Sequence, residues 1–292
     1  MKILVTGALG HLGSTIVSLA QEKHEMVTFD IREPNEATPP NFIQGDVANL
    51  DEVLRAAEGC DAIIHPAGLT GGHLSTNTHA DFIRVNVTGT DNIFQAALKH
   101  SITKVCYSST MEVTLGRDWM AWGASIQDEA TPPRPDSIYP LTKYMGEQIA
   151  HFFHDMHGIK VAIFRYMAFD LRPPETIGLG LIARWVWVQD VARANLLAAE
   201  SERVEDDLFH IGPLNRLTPQ DVVQSLTDPE GILEKHYPGS VELLQKANVP
   251  IRPVLWPVTR IHKARQILGW VPQYTFDDYL LHLRRTLNMV DE

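Results

Sequence analysis

A phenol and an ammonium, Tyr139 and Lys143, stand four positions apart in SIYPLTKYMGEQ, residues 137–148. On a helix this spacing puts both on one face, where they are either a proton-transfer couple or two polar groups on a solvated surface. Ser137 is placed to cap such a helix, and Pro140 suits its first turn. Upstream, the run SST supplies three hydroxyls, Ser108, Ser109 and Thr110, each able to orient an oxygen by hydrogen bonding or simply to form a turn. Near the start, TGALGHLG spaces Gly7, Gly10 and Gly13 three apart, and Asp30 follows Gly10 by twenty residues. Glycines so spaced let a backbone approach a pyrophosphate, and an acid at that remove accepts hydrogen bonds from ribose hydroxyls.

These groups act together only if the chain brings them to one edge of one sheet. Strand-like runs occur at KILVTG, EMVTFD (25–30), NFIQGD (41–46), DAIIHPAG (61–68), KVCYSS (104–109) and KVAIFR (160–165). Several are almost continuously apolar, as in a parallel sheet buried on both faces. Helical periodicity fills the intervals at 12–22, 50–58, 81–99 and 139–157. The alternation predicts an α/β fold, a doubly wound parallel sheet of the Rossmann kind. In it Gly7 makes the tight turn, Gly10 admits a pyrophosphate, Gly13 lets helix and strand pack, and the helix N-terminus offers free amides to phosphate. Asp30 would repel a 2'-phosphate; Arg32 softens that preference, and the expected cofactor is NAD rather than NADP. Asp46, closing QGDV, either reaches an adenine edge or only ends a turn.

Beyond residue 166 the pattern loosens. Residues 1–166 are expected to form the dinucleotide-binding domain and 167–292 a smaller, mostly helical substrate-binding region, with strands near 186 and 208 returning to the first sheet. Thr218 should cap a helix that has Pro219 at its first position.

At 292 residues, 44% hydrophobic and 21% charged, the chain has a globular composition. No apolar run nears the roughly 20 residues of a membrane span, and a glycine interrupts MKILVTG too early for a signal-peptide core. Cys60 and Cys106, each in an apolar setting, read as reduced buried thiols. A cytoplasmic protein is expected, without a membrane. A net charge of −11 lacks the basic footprint of a nucleic-acid binder, so the expected partner is a small molecule.

TGALGHLG, GDV, IIHPAG, NVTGTDNI, YSST, YPLTK, VQDVARA and LGWVPQYTFDDYL occur here in one order along nearly the whole chain. In these blocks the sequence resembles the extended short-chain dehydrogenase/reductase family, also called the NAD-dependent epimerase/dehydratase family. The resemblance implies that Tyr139 and Lys143 are catalytic, and that the hydroxyl of the third member comes from Thr110, with Ser109 the alternate. An unperturbed phenol near pKa 10 is a poor base at neutral pH. A neighbouring ammonium, helped by the positive nicotinamide, would draw it toward the working range. The same resemblance extends the expected cofactor contacts to Leu9, His11, Leu12, Ile31, Val47, Pro66, Ala67, Gly68 and Asn86.

Membership alone leaves the reaction open. Dehydratases of this type carry Asp-Glu after the threonine, where this chain has Met111 and Glu112; a methionine cannot donate a proton, which argues against dehydration. Nucleotide-sugar epimerases place several dozen residues between the arginine ending the sixth strand and the DVA block. Here YMAFDLRPPETIGLGLIARWVWVQ is all that separates Arg165 from Asp190, leaving little to hold a nucleotide. The shortened segment, with RPDSIYPLTK and ARWVWVQDVARA, resembles uronate dehydrogenases, in which case Arg172 and Arg184 would meet a carboxylate and Ser109, Thr110 and Met111 would border the substrate. The expected activity is NAD-dependent oxidation of a small polyhydroxylated substrate, a sugar or sugar acid. An epimerase using the same triad is the alternative, and a non-catalytic NAD-binding sensor a third.

No metal site is expected: His151, His154 and His157 fan across one side of a helix. Trp185, Trp187 and Trp256 read as core rather than pocket. Apolar residues beyond a single stripe on the helices at 81–99 and 139–157, among them Phe82, Phe94, Phe152 and Phe153, suit the four-helix contact common in the family and predict a homodimer.

Overall fold

Seven parallel strands, most of them short, apolar and buried on both faces, form the central sheet in the computed structural model, which describes residues 1–35, 37–116, 126–254 and 257–288. The strands are β1 (Lys2–Thr6), β2 (Glu25–Asp30), β3 (Phe42–Gln44), β4 (Ala62–His65), β5 (Lys104–Thr110), β7 (Lys160–Tyr166) and β8 (Asp206–Ile211). Their order is β3-β2-β1-β4-β5-β7-β8. Order reverses between β1 and β4, the crevice at which a doubly wound sheet binds its ligand. A separate two-stranded ribbon pairs β6 (Ile126–Gln127) with β9 (Val258–Thr259).

The expected strand near 208 joins the sheet beside β7. The one near 186 does not form: Trp185 makes only an isolated bridge to Ala168, because the chain turns at once into a helix.

Helices cover both faces. On one side lie α1 (His11–Ala20) and α7 (Val188–Glu200); on the other α2 (Leu50–Ala57), α4 (Gly89–Lys99) and α6 (Ile138–His157). The helix expected over 81–99 is interrupted. A short α3 (His79–Phe82) runs through a π-helical stretch, Ile83–Thr88, into α4. Such stretches concentrate at functional sites, and this one carries Asn86. The short α5 (Glu112–Leu115) follows β5 directly.

A third apolar cluster gathers Leu181, Leu217, Val222, Leu244 and Phe276 around α8 (Pro219–Gln224), α9 (Pro229–His236), α10 (Ser240–Lys246) and α12 (Phe276–Thr286), while α11 (His262–Leu268) packs with the first sheet. Thr218 caps α8 as expected, accepting from the Asp221 amide at 3.2 Å. This region is pinned to the sheet by Asp190, fully buried at the start of α7. Its carboxylate accepts from the Gln273 amide at 2.9 Å and the Tyr274 amide at 3.2 Å, and its carbonyl from the Trp270 indole at 2.8 Å.

Of the aromatics expected on an outer helix face, Phe82, Phe94 and Phe153 are core residues and only Phe152 is exposed. The exposed apolar stripe on α6 consists instead of Leu141, Met145, Phe152 and Met156, which share one face, with Leu98 of α4 also exposed. His151 pairs with Asp206, and His154 bonds the Ile159 carbonyl. No group of three or more metal-ligating side chains occurs among the described residues. Trp187 packs edge-on to Tyr274. Trp256 lies outside the described residues.

Candidate active site

The carboxyl ends of β1, β2, β4, β5 and β7 border one cleft of about 940 Å³, large for a ligand pocket. Its floor at one end is the glycine turn. Gly7 adopts φ +58°, and a Cβ there would stand 2.9 Å from the Ala67 Cα. At Gly13 a Cβ would come within 2.2 Å of the Gly7 carbonyl oxygen, so a side chain would force the turn off the sheet. The first turn of α1 has no side-chain cap and no acidic residue, leaving its amides open to an anion.

Asp30 ends β2 at the cleft wall, and four donors already converge on its carboxylate. The Leu9 amide lies at 2.9 Å, and Arg32 contributes its amide and Nε at 3.0 Å and its second guanidinium nitrogen at 3.1 Å. Burial would raise this carboxyl, but the hydrogen bonds from Arg32 and Leu9 overcome it and hold the group below its ordinary range. A neighbouring pair, Arg84 on Asp46 at 2.6 Å, occupies the same end. These features fit a dinucleotide: a cradle for the pyrophosphate and a carboxylate held ionised for ribose hydroxyls.

At the other end Tyr139, in the first turn of α6, faces Thr110 at the end of β5. Ser137 holds the N-cap position in extended conformation, yet its hydroxyl makes no capping bond, unlike the expectation. Tyr139 is raised well above the ordinary phenol range by burial; hydrogen bonding with Thr110 opposes the rise and the Glu112 carboxylate adds to it. Lys143 is pushed down to about 7 by burial, against the attraction of Glu147. Its Nζ sits 4.5 Å above the Tyr107 ring. The expected lowering of the phenol by the ammonium is not among the influences on Tyr139; burial dominates at both groups and displaces both toward their neutral forms.

Every position expected to contact the cofactor borders the cleft except Leu9 and Asn86. Leu9 contributes only its amide, to Asp30. Asn86 is a brace: its side chain accepts from the Leu69 amide at 2.7 Å and donates to the Leu69 carbonyl at 2.9 Å and to Thr142 Oγ1 at 3.0 Å. It fixes the loop after β4 against α6.

Ser109 also departs from expectation. Adjacent strand residues point to opposite faces, and while Thr110 turns to Tyr139, the Ser109 hydroxyl donates to Glu147 Oε1 at 2.5 Å. Glu147 is itself clamped by Arg165 at 2.8 and 2.7 Å, with both side chains buried. Ser109 thus borders the cleft while its hydroxyl is committed to a buried network behind it. Arg172 lies outside the cleft, paired with Asp170 and stacked 4.2 Å above the Trp185 ring; Arg184 and Met111 border it. His65, which the sequence marks as structural, is buried between Thr6 and Thr90 and held neutral, pushed by burial and then by Lys143 to about 3.

Several cleft residues escape sequence reasoning: the turn Thr70 to His73, Arg84 and Phe169, while Glu112, weighed in sequence only as half of a dehydratase pair, also borders the cleft. Only the glycine pair Gly71-Gly72, a close-approach signal, hinted at the first of these.

A profile of the NAD dependent epimerase/dehydratase family matches residues 3–169. The chain is 31% identical over 56% of its length to the L-arabinose 1-dehydrogenase (NAD(P)(+)) of Haloferax volcanii, of which the match spans 65%. It is 30% identical over 66% of its length to the uronate dehydrogenase of Pseudomonas syringae pv. tomato, of which the match spans 67%. A short-chain dehydrogenase/reductase superfamily protein from Agrobacterium tumefaciens, solved with bound NAD, superposes with a TM-score of 0.73 at 17% identity, covering 99% of this chain and 98% of that one. The last shows the fold alone. With the glycine turn, Asp30 and the side chains of Tyr139, Lys143 and Thr110 in one cleft, the matched profile settles the kinship: this chain belongs to the NAD-dependent epimerase/dehydratase family and its cofactor is NAD.

Proposed function

We propose that the protein is an NAD-dependent dehydrogenase that oxidises a hydroxyl of a small sugar or sugar acid. One observation carries the reading: Thr110, Tyr139 and Lys143 meet at the end of β5 in the same cleft as the glycine cradle. Bound NAD supplies a hydride acceptor. Thr110 holds the substrate oxygen by hydrogen bonding, and Tyr139 takes its proton. Lys143, when protonated, favours the phenolate and holds a proton at Nζ. The glycine turn and Asp30 are the residues to hold the dinucleotide.

The segment between β7 and α7 supports a small substrate. It folds into two short 3-10 turns, Pro174–Thr176 and Gly178–Ile182, that pack toward α12, with Gly178 lying against the Tyr279 ring. Little chain remains there to wrap a nucleotide. An epimerase would use the same cluster and return the hydride to the opposite face.

A panel of aldoses, uronates and polyols with NAD, followed by absorbance of NADH, tests the reading. Accumulating NADH supports a dehydrogenase, and a changed sugar without net NADH an epimerase; NAD binding without any turnover would overturn both. Tyr139→Phe should abolish the signal while leaving NAD affinity within about threefold, since the phenol is not part of the cradle.

The exposed stripe on α6 supports a homodimer formed through that helix. Cys60 and Cys106, both buried free thiols, suit a reducing compartment such as the cytoplasm.

A further inference from the structure

Glu112 opens α5 two residues after Thr110, and its amide donates to Thr110 Oγ1 at 3.3 Å. Its side chain reaches into the cleft beside Tyr139: a Cβ built on Gly71 would stand 3.9 Å from Glu112 Oε1 and 3.7 Å from the Tyr139 ring. Carboxylate and phenol therefore border one small volume, rimmed by Gly71. Burial, and after it the negative charge of Asp136 just before the α6 cap, raise the Glu112 carboxyl above its ordinary range, and Arg184 opposes the rise.

Most arginines and lysines near the cleft are otherwise engaged. Arg172 is held by Asp170 outside the cleft, Arg32 and Arg84 are tied to Asp30 and Asp46 at the adenosine end, and Lys143 lies over Tyr107. Among the described residues, that leaves Arg184 as the arginine at the substrate end, already opposite Glu112. A second carboxylate brought there would meet Glu112, of its own sign. Sugar hydroxyls, by contrast, find in Glu112 a strong acceptor that an acid group would have to displace.

We infer that Glu112 selects the substrate by charge: the cleft takes a neutral aldose, whose hydroxyls donate to the Glu112 carboxylate, and rejects the matching uronate. The inference rests on the dehydrogenase reading and narrows it.

The test uses aldose and uronate pairs that differ only at C6, galactose with galacturonate and glucose with glucuronate, at saturating NAD. The neutral member of a productive pair should show a kcat/KM about tenfold or more above its uronate. Glu112→Gln, near-isosteric and checked by its thermal midpoint, should shift that ratio about tenfold toward the uronate. A wild-type preference for the uronate, or an unchanged ratio in a folded Glu112→Gln protein, overturns the proposal. Titrating NAD-loaded Tyr139→Phe with each member by tryptophan fluorescence ranks them without turnover: tighter binding of the neutral sugar supports the proposal, and tighter binding of the uronate, or of neither, overturns it. A kcat/KM that favours the uronate defeats this inference alone, whereas no NADH from any sugar defeats the dehydrogenase reading.

Discussion

Replacing Lys143 with methionine should stabilise the protein, and by an amount that depends on pH. Burial lowers this ammonium from the ordinary 10.5 to about 7. Each unit corresponds to about 1.4 kcal/mol, so the charged form carries a penalty of about 5 kcal/mol in the fold. The unfolded chain keeps the proton up to pH 10.5, and the folded chain releases it near 7. Below pH 7 both states hold it and the full penalty falls on the fold. Between 7 and 10.5 the unfolded state binds more protons, so the stability of the wild type rises with pH and the penalty fades. Lys143→Met does not titrate there, and it gives up the contact of the ammonium with the Tyr107 ring. The variant's advantage should thus be greatest near pH 6 and at least about 2 kcal/mol smaller near pH 9.5, while activity is lost at both. Urea unfolding of both proteins without dinucleotide, at three pH values and read by tryptophan fluorescence, measures this double difference. A gap that stays constant with pH, or that widens in favour of the variant as pH rises, would refute the assignment of a strained ammonium to this site.

Other expectations follow from single contacts. Gly13→Ala places a methyl 2.2 Å from the Gly7 carbonyl oxygen and should weaken NAD binding about tenfold or more in a fluorescence titration; a Kd within about threefold of wild type would contradict the cradle. Glu147→Leu strands the buried Arg165 guanidinium and should cost about 3–5 kcal/mol in urea unfolding. Adding Arg165→Met should restore most of that loss, and a double variant no better than the single would show that the pair is not the cause. Phe152→Glu on the exposed α6 stripe should turn a dimer into a monomer by light scattering; a wild type already monomeric would remove the basis for that interface.

Local information carried most of the fold. Strand and helix alternation needs only periods of about 2 and 3.6 residues, which neighbouring side chains display directly, and seven of the eight expected strands formed within a few residues of their predicted positions. The glycine turn and the Tyr139–Lys143 pair were legible for the same reason: each lies within one turn or one helical step, so spacing alone fixes the relative placement of its groups.

What spacing does not encode is which distant groups share a side chain's surroundings. Strand periodicity says that Ser109 and Thr110 face opposite ways, but only the packing of α6 on β5 turns Thr110 toward Tyr139 and gives Ser109 to Glu147. Asn86 looked like a cofactor contact in its motif, and the π-helical stretch turned it against Leu69 and Thr142. Arg172, an exposed loop arginine, was the weaker of two carboxylate candidates in sequence, and folding bound it to Asp170 while it left Arg184 at the cleft. The charge that burial allows Tyr139 and Lys143 likewise belongs to the folded state, because desolvation is a property of everything packed around a group and not of its neighbours along the chain.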